Sequence, residues 1–438
     1  MARTTHAGWA VGAIAALLLA APAHADDGAV DDRVRRLEEA LQRQSEEMNR
    51  LRSDLEAYKA ADRGPARMSE DEIRTAVDSY LASAPASSFP VAAQASPGGL
   101  HWGGYMTIEY VDNSETNSTF DLHRLVLEAS GSITDRIDFD MEIEFEHGGI
   151  SDEIGGEIKI EQAVVRYHCS DAFTPKVGWV LIPFARYNLT HDDPLHDFTI
   201  RPWTARFLIP TGFGQPGLGA EGSIPVGCNV LSYDVAFTNG FEDDFSASSG
   251  VRAALNDRDT NDGKQVWGRV AMAWSGNRVF DYAETGVSGT WGLYDADDDD
   301  VFSGFALDWL LRKGPFEVKG EWIVYDIERS SGAPPDAVEG MAGLWVEAGY
   351  HFFPSFWRCT RNCVVTDTSL FTLAVRYQWT DLDDRNEGAS FQDDLEGWSV
   401  GLNYRITENS VFRVDHTWFF PVNDDDRTEW TASFSTYF

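Results

Sequence analysis

Hydrophobic and polar residues alternate along most of the chain after residue 100. In the segment 137–146 the odd positions are Ile, Phe and Met, and all five even positions are Asp or Glu. Because successive residues of a β-strand point to opposite faces, this strand has one apolar face and one acidic face. Carboxylates in such a row cannot be packed dry, so we expect water on one side and an apolar medium on the other.

The same period of two recurs about sixteen times along the chain. We predict strands near 100–111, 120–131, 136–147, 157–168, 173–182, 217–226, 230–240, 264–275, 278–291, 301–311, 316–326, 341–352, 369–379, 397–406, 411–420 and 428–438. The strand at 157–168 needs a β-bulge to keep its parity. Tight turns alternate with longer polar loops, which is typical of outer-membrane barrels with an even number of strands.

We therefore predict an all-β transmembrane barrel of about 16 antiparallel strands over residues 100–438. The alternative is a large soluble β-sandwich or propeller, but the repeated motif of propeller blades is not visible in the sequence. The last strand ends on Phe438. We expect this strand to pair with the first one, and a terminal aromatic residue is similar to the signal that the barrel-assembly machinery recognises.

A different pattern precedes the barrel. Residues 1–25 combine Arg3, an apolar run and a small-residue site ending at Ala25, which predicts a secretory signal peptide. Residues 26–62 follow heptads, with Val34, Leu41, Met48 and Leu55 at one core position, and predict an α-helical coiled coil in the periplasm. The alternative is a lone amphipathic helix packed on its own domain. Residues 63–99 predict a short helix and an Ala/Ser/Pro linker.

One connection, the third long loop at 183–216, is too rich in aromatic residues and proline for a solvated loop. We expect it to fold inward, rest on the barrel wall and narrow the pore; the alternative is an outer lid or a trimer contact. Charges of both signs at such a constriction would orient polar solutes. The candidates for the constriction are Arg186, His191, Asp192, Asp193, His196, Asp197, Arg201 and Arg206.

The formal net charge of −36 argues against nucleic-acid binding. From residue 100 on, 24 lysines and arginines stand against 56 aspartates and glutamates. Strand parity makes the following residues candidates for the lumen-facing set: Arg124, Asp138, Asp140, Glu142, Glu144, Glu146, Arg166, Arg376, Arg405 and Arg413. Cations would be favoured wherever the acidic strand controls the field.

The remaining chemistry predicted from the sequence is sparse. Cys359 and Cys363 are candidates for a small disulfide loop, with Cys169 or Cys228 as alternative partners. The acidic runs 295–300 and 423–426 are interpreted as solvated loop tips, with Ca²⁺ binding as the alternative. We expect no metal site, no cofactor and no enzymatic activity.

Four stretches carry a family resemblance: HRLVLEASGSITDRIDFDMEIEFE, GEIKIEQAVVRY, KVGWVLIPFARYNLTHDDPLHDFTIRP and IPTGFGQPGLGAEG. On these stretches the region 100–438 resembles the phosphate-selective porins O and P of bacterial outer membranes. The resemblance implies a sixteen-stranded trimeric channel whose third loop enters the pore. It also implies passive diffusion of anions such as phosphate past lumenal arginines and lysines. The low lysine content departs from that pattern, and no phosphate-contacting residue is carried over.

Taken together, these patterns predict a porin of the bacterial outer membrane that passes small hydrophilic solutes, with anions such as phosphate among them. Two alternatives stay open. One is a cation-preferring general porin, and the other is a structural tether whose coiled coil links the barrel to the cell wall. The expected partners are membrane lipid and lipopolysaccharide, the barrel-assembly machinery, two further copies in a homotrimer, and the cell wall through the coiled coil.

Overall fold

A computed structural model describes residues 99–148, 156–255, 261–275, 279–295, 300–329, 337–354, 365–366, 368–386 and 388–438. Within these residues the chain forms a closed antiparallel β-barrel in which each strand pairs with its neighbours in sequence. The alternating pattern has therefore predicted the fold class correctly, because a closed antiparallel sheet leaves no backbone edge unpaired in an apolar medium.

The strands lie close to the predicted segments. Their bounds are β1 Leu100–Asn113, β2 Thr119–Thr134, β3 Ile137–Glu146, β4 Ile158–Tyr167, β5 Thr174–Leu181, β6 Gly214–Val226, β7 Asn229–Asn239, β8 Lys264–Ser275, β9 Tyr282–Leu293, β10 Val301–Lys313, β11 Phe316–Ile327, β12 Gly340–Phe352, β13 Leu370–Asp381, β14 Leu395–Thr407, β15 Ser410–Pro421 and β16 Arg427–Tyr437. The largest differences are at β9, which begins at Tyr282 rather than 278, and at β6, which begins at Gly214 inside the predicted loop.

The barrel closes between its first and last strands. β1 and β16 pair antiparallel from Tyr105 opposite Tyr437 to Asn113 opposite Glu429. Beyond the strand, the backbone N–H of Phe438 donates to the carbonyl oxygen of Gly104 at 3.0 Å. The predicted pairing of the C-terminal strand with the first strand is thus confirmed.

The predicted β-bulge is present in β4. The register between β3 and β4 shifts after the pair Glu142–Gln162, since the next pair is Ile143–Ile160. Glu161 is therefore the extra residue, without a partner across the strands. A bulge re-aims the side chain of its extra residue, and Glu161 points into the interior, where none of its surface is exposed.

The two faces of the wall differ as the alternation predicts. Large apolar side chains on the outer face are exposed, for example Val287, Leu402, Val414 and Trp430. Inward-facing positions carry polar and charged side chains that are mostly buried inside the barrel. This distribution suits a barrel with lipid outside and polar groups inside.

An apolar cluster fills part of the interior near the ends of β8–β12 that adjoin the long loops. Phe184 and Leu208, from the connection between β5 and β6, pack there with Trp267, Phe302 and Tyr325 of the wall. The ring of Phe184 stacks on Tyr325 with centroids 5.5 Å apart. This cluster closes one side of the interior.

Several predictions fall on residues outside the described part of the chain: the signal peptide, the coiled coil, the linker and the Cys359/Cys363 pair. Cys169 and Cys228 are exposed free thiols. Among the described residues, no helix has the length and apolar character that crossing a membrane requires.

Candidate functional site

The connection between β5 and β6 enters the barrel interior. It contains two short 3₁₀-helices, Tyr187–Thr190 and Asp193–Leu195, and a single π-helical turn, Thr204–Leu208. We call this connection, residues 182–213, the inner loop. Its residues contact inward-facing side chains of β2, β4 and β11–β16, so it crosses the lumen rather than lying on one strand.

Aromatic side chains anchor the inner loop to the wall. Trp203 stacks on Phe419 with ring centroids 5.5 Å apart. Phe198 lies under the guanidinium group of Arg376, at 4.3 Å from its ring centroid. A cation over an aromatic face is attracted by the ring quadrupole. The aromatic residues that made this loop unusual in the sequence are therefore its packing contacts.

Acidic side chains of the inner loop form ion pairs with wall cations. Asp193 lies 3.2 Å from an Nη of Arg124 on β2. Asp197 accepts hydrogen bonds from the Nζ of Lys319 at 2.9 Å and the Nδ2 of Asn403 at 3.0 Å. Removing one partner from such a buried pair leaves an uncompensated charge, which costs about 3–5 kcal/mol. These loop carboxylates are thus held against the wall.

Two wall arginines also bind the backbone of the loop. Arg405 donates to the carbonyl oxygen of Pro194 at 2.6 Å. Arg413 donates to the carbonyl oxygen of Asp193 at 2.7 Å and to the hydroxyl of Ser433 at 2.9 Å. Five N–H donors in a fixed fork let one guanidinium satisfy several acceptors. The guanidinium groups of both arginines, which are among the lumen-facing candidates, bind the loop.

Carboxylates on the inner face of the acidic strand β3 form ion pairs with cations of the neighbouring strands. Glu144 is fully buried and forms ion pairs with Arg124 and with Lys159, whose Nζ lies 2.6 Å from the carboxylate. Asp138 and Asp140 lie 3.8 and 3.7 Å from Arg166. Cations of the adjacent strands therefore neutralise much of the row of β3 carboxylates. The alternation within a single strand does not reveal such pairs.

The remaining ionisable groups of the loop are mostly buried. His191 lies 3.3 Å from Glu161 through its Nε2, and Asp192 accepts a hydrogen bond from the hydroxyl of Tyr437 at 2.8 Å. Burial lowers the pKa of His191 because it disfavours the charged imidazole. The attraction of the Glu161 carboxylate is larger than this effect, so the pKa of His191 is raised. His196 stacks on the ring of Tyr187 with centroids 4.3 Å apart.

The loop borders several cavities, two of which are lined by many charged side chains. The outer cavity, of about 330 Å³, lies at the end of the barrel with the long loops. Its charged lining residues are Arg124, Lys159, Arg201, Arg206, Arg252, Glu109, Glu146 and Glu429, and it also contains His123 and His147. Five cationic side chains thus face three carboxylates there.

The inner cavity, of about 410 Å³, lies toward the end with the short turns. Its charged lining residues are Arg166, Lys176, Arg186, Arg269, Asp171, Glu221, Asp234 and Glu284. Cationic and acidic side chains are equal in number, and several are paired; for example, the Nζ of Lys176 lies 2.7 Å from Asp234. The lining of this cavity has no formal net charge apart from His168.

The predicted constriction residues thus divide into two groups. Arg186 lines the inner cavity, and Arg201 and Arg206 line the outer one. The other five, His191, Asp192, Asp193, His196 and Asp197, are buried in contacts with the wall or within the loop. Sequence reasoning missed Lys159 and Glu161, because the parity of β4 is ambiguous on either side of its bulge.

Comparison with known proteins gives a family and a set of similar folds. A family model described as phosphate-selective porin O and P matches residues 98–419. A curated relative from Aquifex aeolicus (strain VF5), described as an uncharacterized protein, is 32% identical over 160 residues. That match covers 35% of this chain and 36% of the relative, so the chain spans about a third of the length of that relative.

Solved outer-membrane proteins have similar folds. OmpT without loop L8, from Vibrio cholerae, has a TM-score of 0.49 at 9% identity, covering 78% of this chain and 100% of that chain. The anion-selective porin from Comamonas acidovorans has a TM-score of 0.46 at 12% identity, covering 78% and 99%. The outer membrane channel DcaP of Acinetobacter baumannii has a TM-score of 0.45 at 12% identity, covering 77% and 96%. At these identities the likeness concerns the fold alone.

Proposed function

Because this chain belongs to the phosphate-selective porin O and P family, we propose that it is an outer-membrane diffusion channel that prefers small anions, phosphate among them. The family is one of channels in the outer membrane. The preference for anions is carried by one observation, the excess of cationic side chains around the outer cavity. The long loops, and with them this cavity, would face the outside of the cell.

The excess at the outer cavity matters because the chain as a whole is acidic. The formal net charge is −36, and part of the charge of both signs at this cavity is engaged in ion pairs; for example, Glu146 lies 3.2 Å from Arg124. Arg206 and Arg252 are exposed on its wall. Charges that line an entrance act on a permeating ion at close range, whereas exposed charges more than a Debye length away are screened. A cationic entrance can therefore favour anions in an acidic protein.

The test is the reversal potential of the full-length protein in a planar bilayer under a KCl gradient, with phosphate added afterwards. We expect an anion-signed potential and a reduced KCl current in phosphate. A unit charge about 6 Å from the ion path is worth about 0.7 kcal/mol in water, or about threefold in ion occupancy. Arg206→Gln and Arg252→Gln should each lower the anion preference by up to about that factor.

Arg136→Gln is the matched control, since Arg136 is exposed in the turn between β2 and β3, away from the outer cavity. It should leave the potential unchanged. A cation-signed potential without phosphate block would refute the anion preference and favour the general porin. A barrel that conducts no ions would favour the tether instead.

We also propose, from the family resemblance, that three copies form a homotrimer in contact with lipid and lipopolysaccharide. The exposed apolar outer face of the wall supports a membrane location. Chemical cross-linking in native outer membranes should give a ladder that ends at three copies, and a ladder that stops at one copy would contradict the trimer.

A further inference from the structure

Three potential metal ligands converge where the inner loop meets the wall. The Nε2 of His191 lies 3.3 Å from an oxygen of Glu161 and 3.9 Å from an oxygen of Glu142. All three ligand atoms lie within 4.8 Å of one another. Glu142 comes from β3, Glu161 from β4 and His191 from the loop, so the group joins three separate segments.

The local structure orients each of these ligands. The β4 bulge leaves Glu161 unpaired across the strands and aims it inward. The Nδ1 of His191 lies 2.9 Å from the carbonyl oxygen of Asn188. When the ring is neutral, this contact holds the ring proton on Nδ1 and leaves Nε2, which faces the carboxylates, available to a metal ion. A hydrogen bond of this kind from the second ring nitrogen accompanies almost every metal-binding histidine.

One oxygen of each carboxylate in this group has no hydrogen-bond partner. Glu161 is 0% exposed, and its Oε1 has no hydrogen-bond partner; Glu142 likewise has one oxygen without a partner. Lys159 lies 3.6 Å from Glu161 but also serves Glu144 at 2.6 Å. Buried carboxylates in this state are costly unless a cation or a proton completes the site.

Further negative charge lies beside the group. Glu128 on β2 is directly opposite Glu142 in the sheet, and Asp192 adjoins His191 in the loop. Like charges opposite each other destabilise a strand pair. A divalent ion would relieve this repulsion and satisfy the unpartnered oxygen of Glu142, which lies 3.9 Å from His191 Nε2.

We propose that Glu142, Glu161 and His191 bind a divalent transition-metal ion such as Zn²⁺, which clamps the inner loop to the wall. Zn²⁺ takes imidazole nitrogen and carboxylate oxygen at about 2.0–2.2 Å in tetrahedral sites, which places neighbouring ligand atoms about 3.3–3.6 Å apart. The separations of 3.3 and 3.9 Å from His191 Nε2 need only small side-chain shifts to meet this geometry.

The types of ligand narrow the choice of metal ion. Ca²⁺ and Mg²⁺ take oxygen ligands, whereas imidazole suits zinc, copper, iron and nickel. The group lies between the two cavities, since Lys159 and Thr211 near it line the outer cavity and Gln162 and Thr190 line the inner one. The sequence predicts no metal site, because the three segments are far apart along the chain and only the tertiary structure brings them together.

The test is Zn²⁺ binding to the full-length protein in detergent, after removal of bound metal with a chelator, measured by equilibrium dialysis. We expect one tight equivalent. His191→Gln should weaken it at least about tenfold, the lower end of what even supporting residues contribute at metal sites. Glu142→Gln should do the same, and it keeps the loop contacts of His191.

His147→Gln is the matched control. Asp121, His123 and His147 form a second donor group, partly exposed at the rim of the outer cavity. If Zn²⁺ binds there, His147→Gln abolishes the tight equivalent and His191→Gln leaves it intact, which would overturn the proposal. An absence of tight binding in the wild type would overturn it as well.

Folding of each variant is checked by its heat-modifiable migration in electrophoresis, which reports the closed barrel. Should His191→Gln fail that check, Glu142→Gln decides the question, because the main partners of its carboxylate are within the proposed site. Dialysis involves no ion current, so this proposal and the channel proposal can fail separately.

Discussion

At the scale of residues, the interior depends on charged side chains that each serve several partners. The Nζ of Lys319 lies 2.9 Å from Asp197, 3.0 Å from Glu347 and 3.2 Å from Glu317. Such networks satisfy buried charges only when all members are in place. A change at one member therefore affects the loop as well as the wall.

His196 is a loop residue whose contribution to the stability of the protein depends on pH. Burial, and after it the positive charge of Lys319, holds the pKa of His196 well below its usual value. The other charged groups that face it are Asp193, Arg201 and Arg413. Because the folded protein keeps this imidazole neutral, its contribution to stability is present above about pH 6.5 and is lost as the pH falls below that value.

We predict that the free energy of unfolding falls by up to about 1.4 kcal/mol per pH unit below about pH 6.5 from this residue alone. His196→Gln should remove that part of the pH dependence, whereas His101→Gln, at an exposed position, should keep it. The measurement is the midpoint of urea-induced unfolding in micelles at pH 7 and pH 5. Equal pH slopes for wild type and His196→Gln would contradict the prediction.

At the scale of elements, the β4 bulge and the inner loop fit each other at a glycine. Gly212 adopts φ +76°, and a Cβ at this position would overlap the Oε1 of Glu161. Glycine is needed here for two reasons, the left-handed backbone and the close approach of the bulged side chain. The loop can end against β4 only because both conditions are met.

We predict that Gly212→Ala destabilises the protein more than Gly227→Ala does. Gly227 lies in a tight turn at φ +65° with open space around its Cβ position. Both variants lose about 1–3 kcal/mol through the backbone, but Gly212→Ala adds about 1–3 kcal/mol from displacement of Glu161. The midpoints of urea-induced unfolding of the two variants test this prediction. Equal losses of stability would contradict it and would show that the side chain of Glu161 moves aside without a cost in free energy.

At the scale of the whole molecule, closure and charge distribution define the channel. The sheet has no free edge, because β16 returns to β1. Negative charge dominates the chain, but neutralised pairs and a cationic outer cavity change what an entering solute meets. Overall net charge is thus a poor guide to the selectivity of a pore with a structured loop inside it.

The end of the chain lies at the closing seam. Phe438 follows β16, is 60% exposed and makes one backbone bond to Gly104. We propose that its ring is read during membrane assembly, so Phe438→Ala should reduce the assembled fraction several-fold. Phe434→Ala is the control, since it removes a ring of the same strand β16 that packs on Phe412 of the neighbouring β15. Equal heat-modifiable fractions for both variants would argue against a role for the terminal ring.

Much of the wall could be predicted because strand faces are a local property. Alternation over a few residues is enough to tell which side of β3 is apolar and which is acidic, and the β4 bulge appears as a break in that alternation. The inner loop was recognisable from its aromatic residues alone. The pattern did not show that Arg124 and Lys159 on the neighbouring strands pair with the β3 carboxylate of Glu144.

The sequence by itself determined the strand count, the two faces of the wall and the closing strand, because the side-chain period of a strand is written in adjacent residues. Only the tertiary structure decided which charges meet. Asp197 binds Lys319, and Thr199 binds Asp415, across 122 and 216 positions of the chain. Such pairs depend on the register of the whole barrel and on the path of the loop through it. For this reason the charged residues that a solute meets in the barrel cannot be inferred from the composition of the chain.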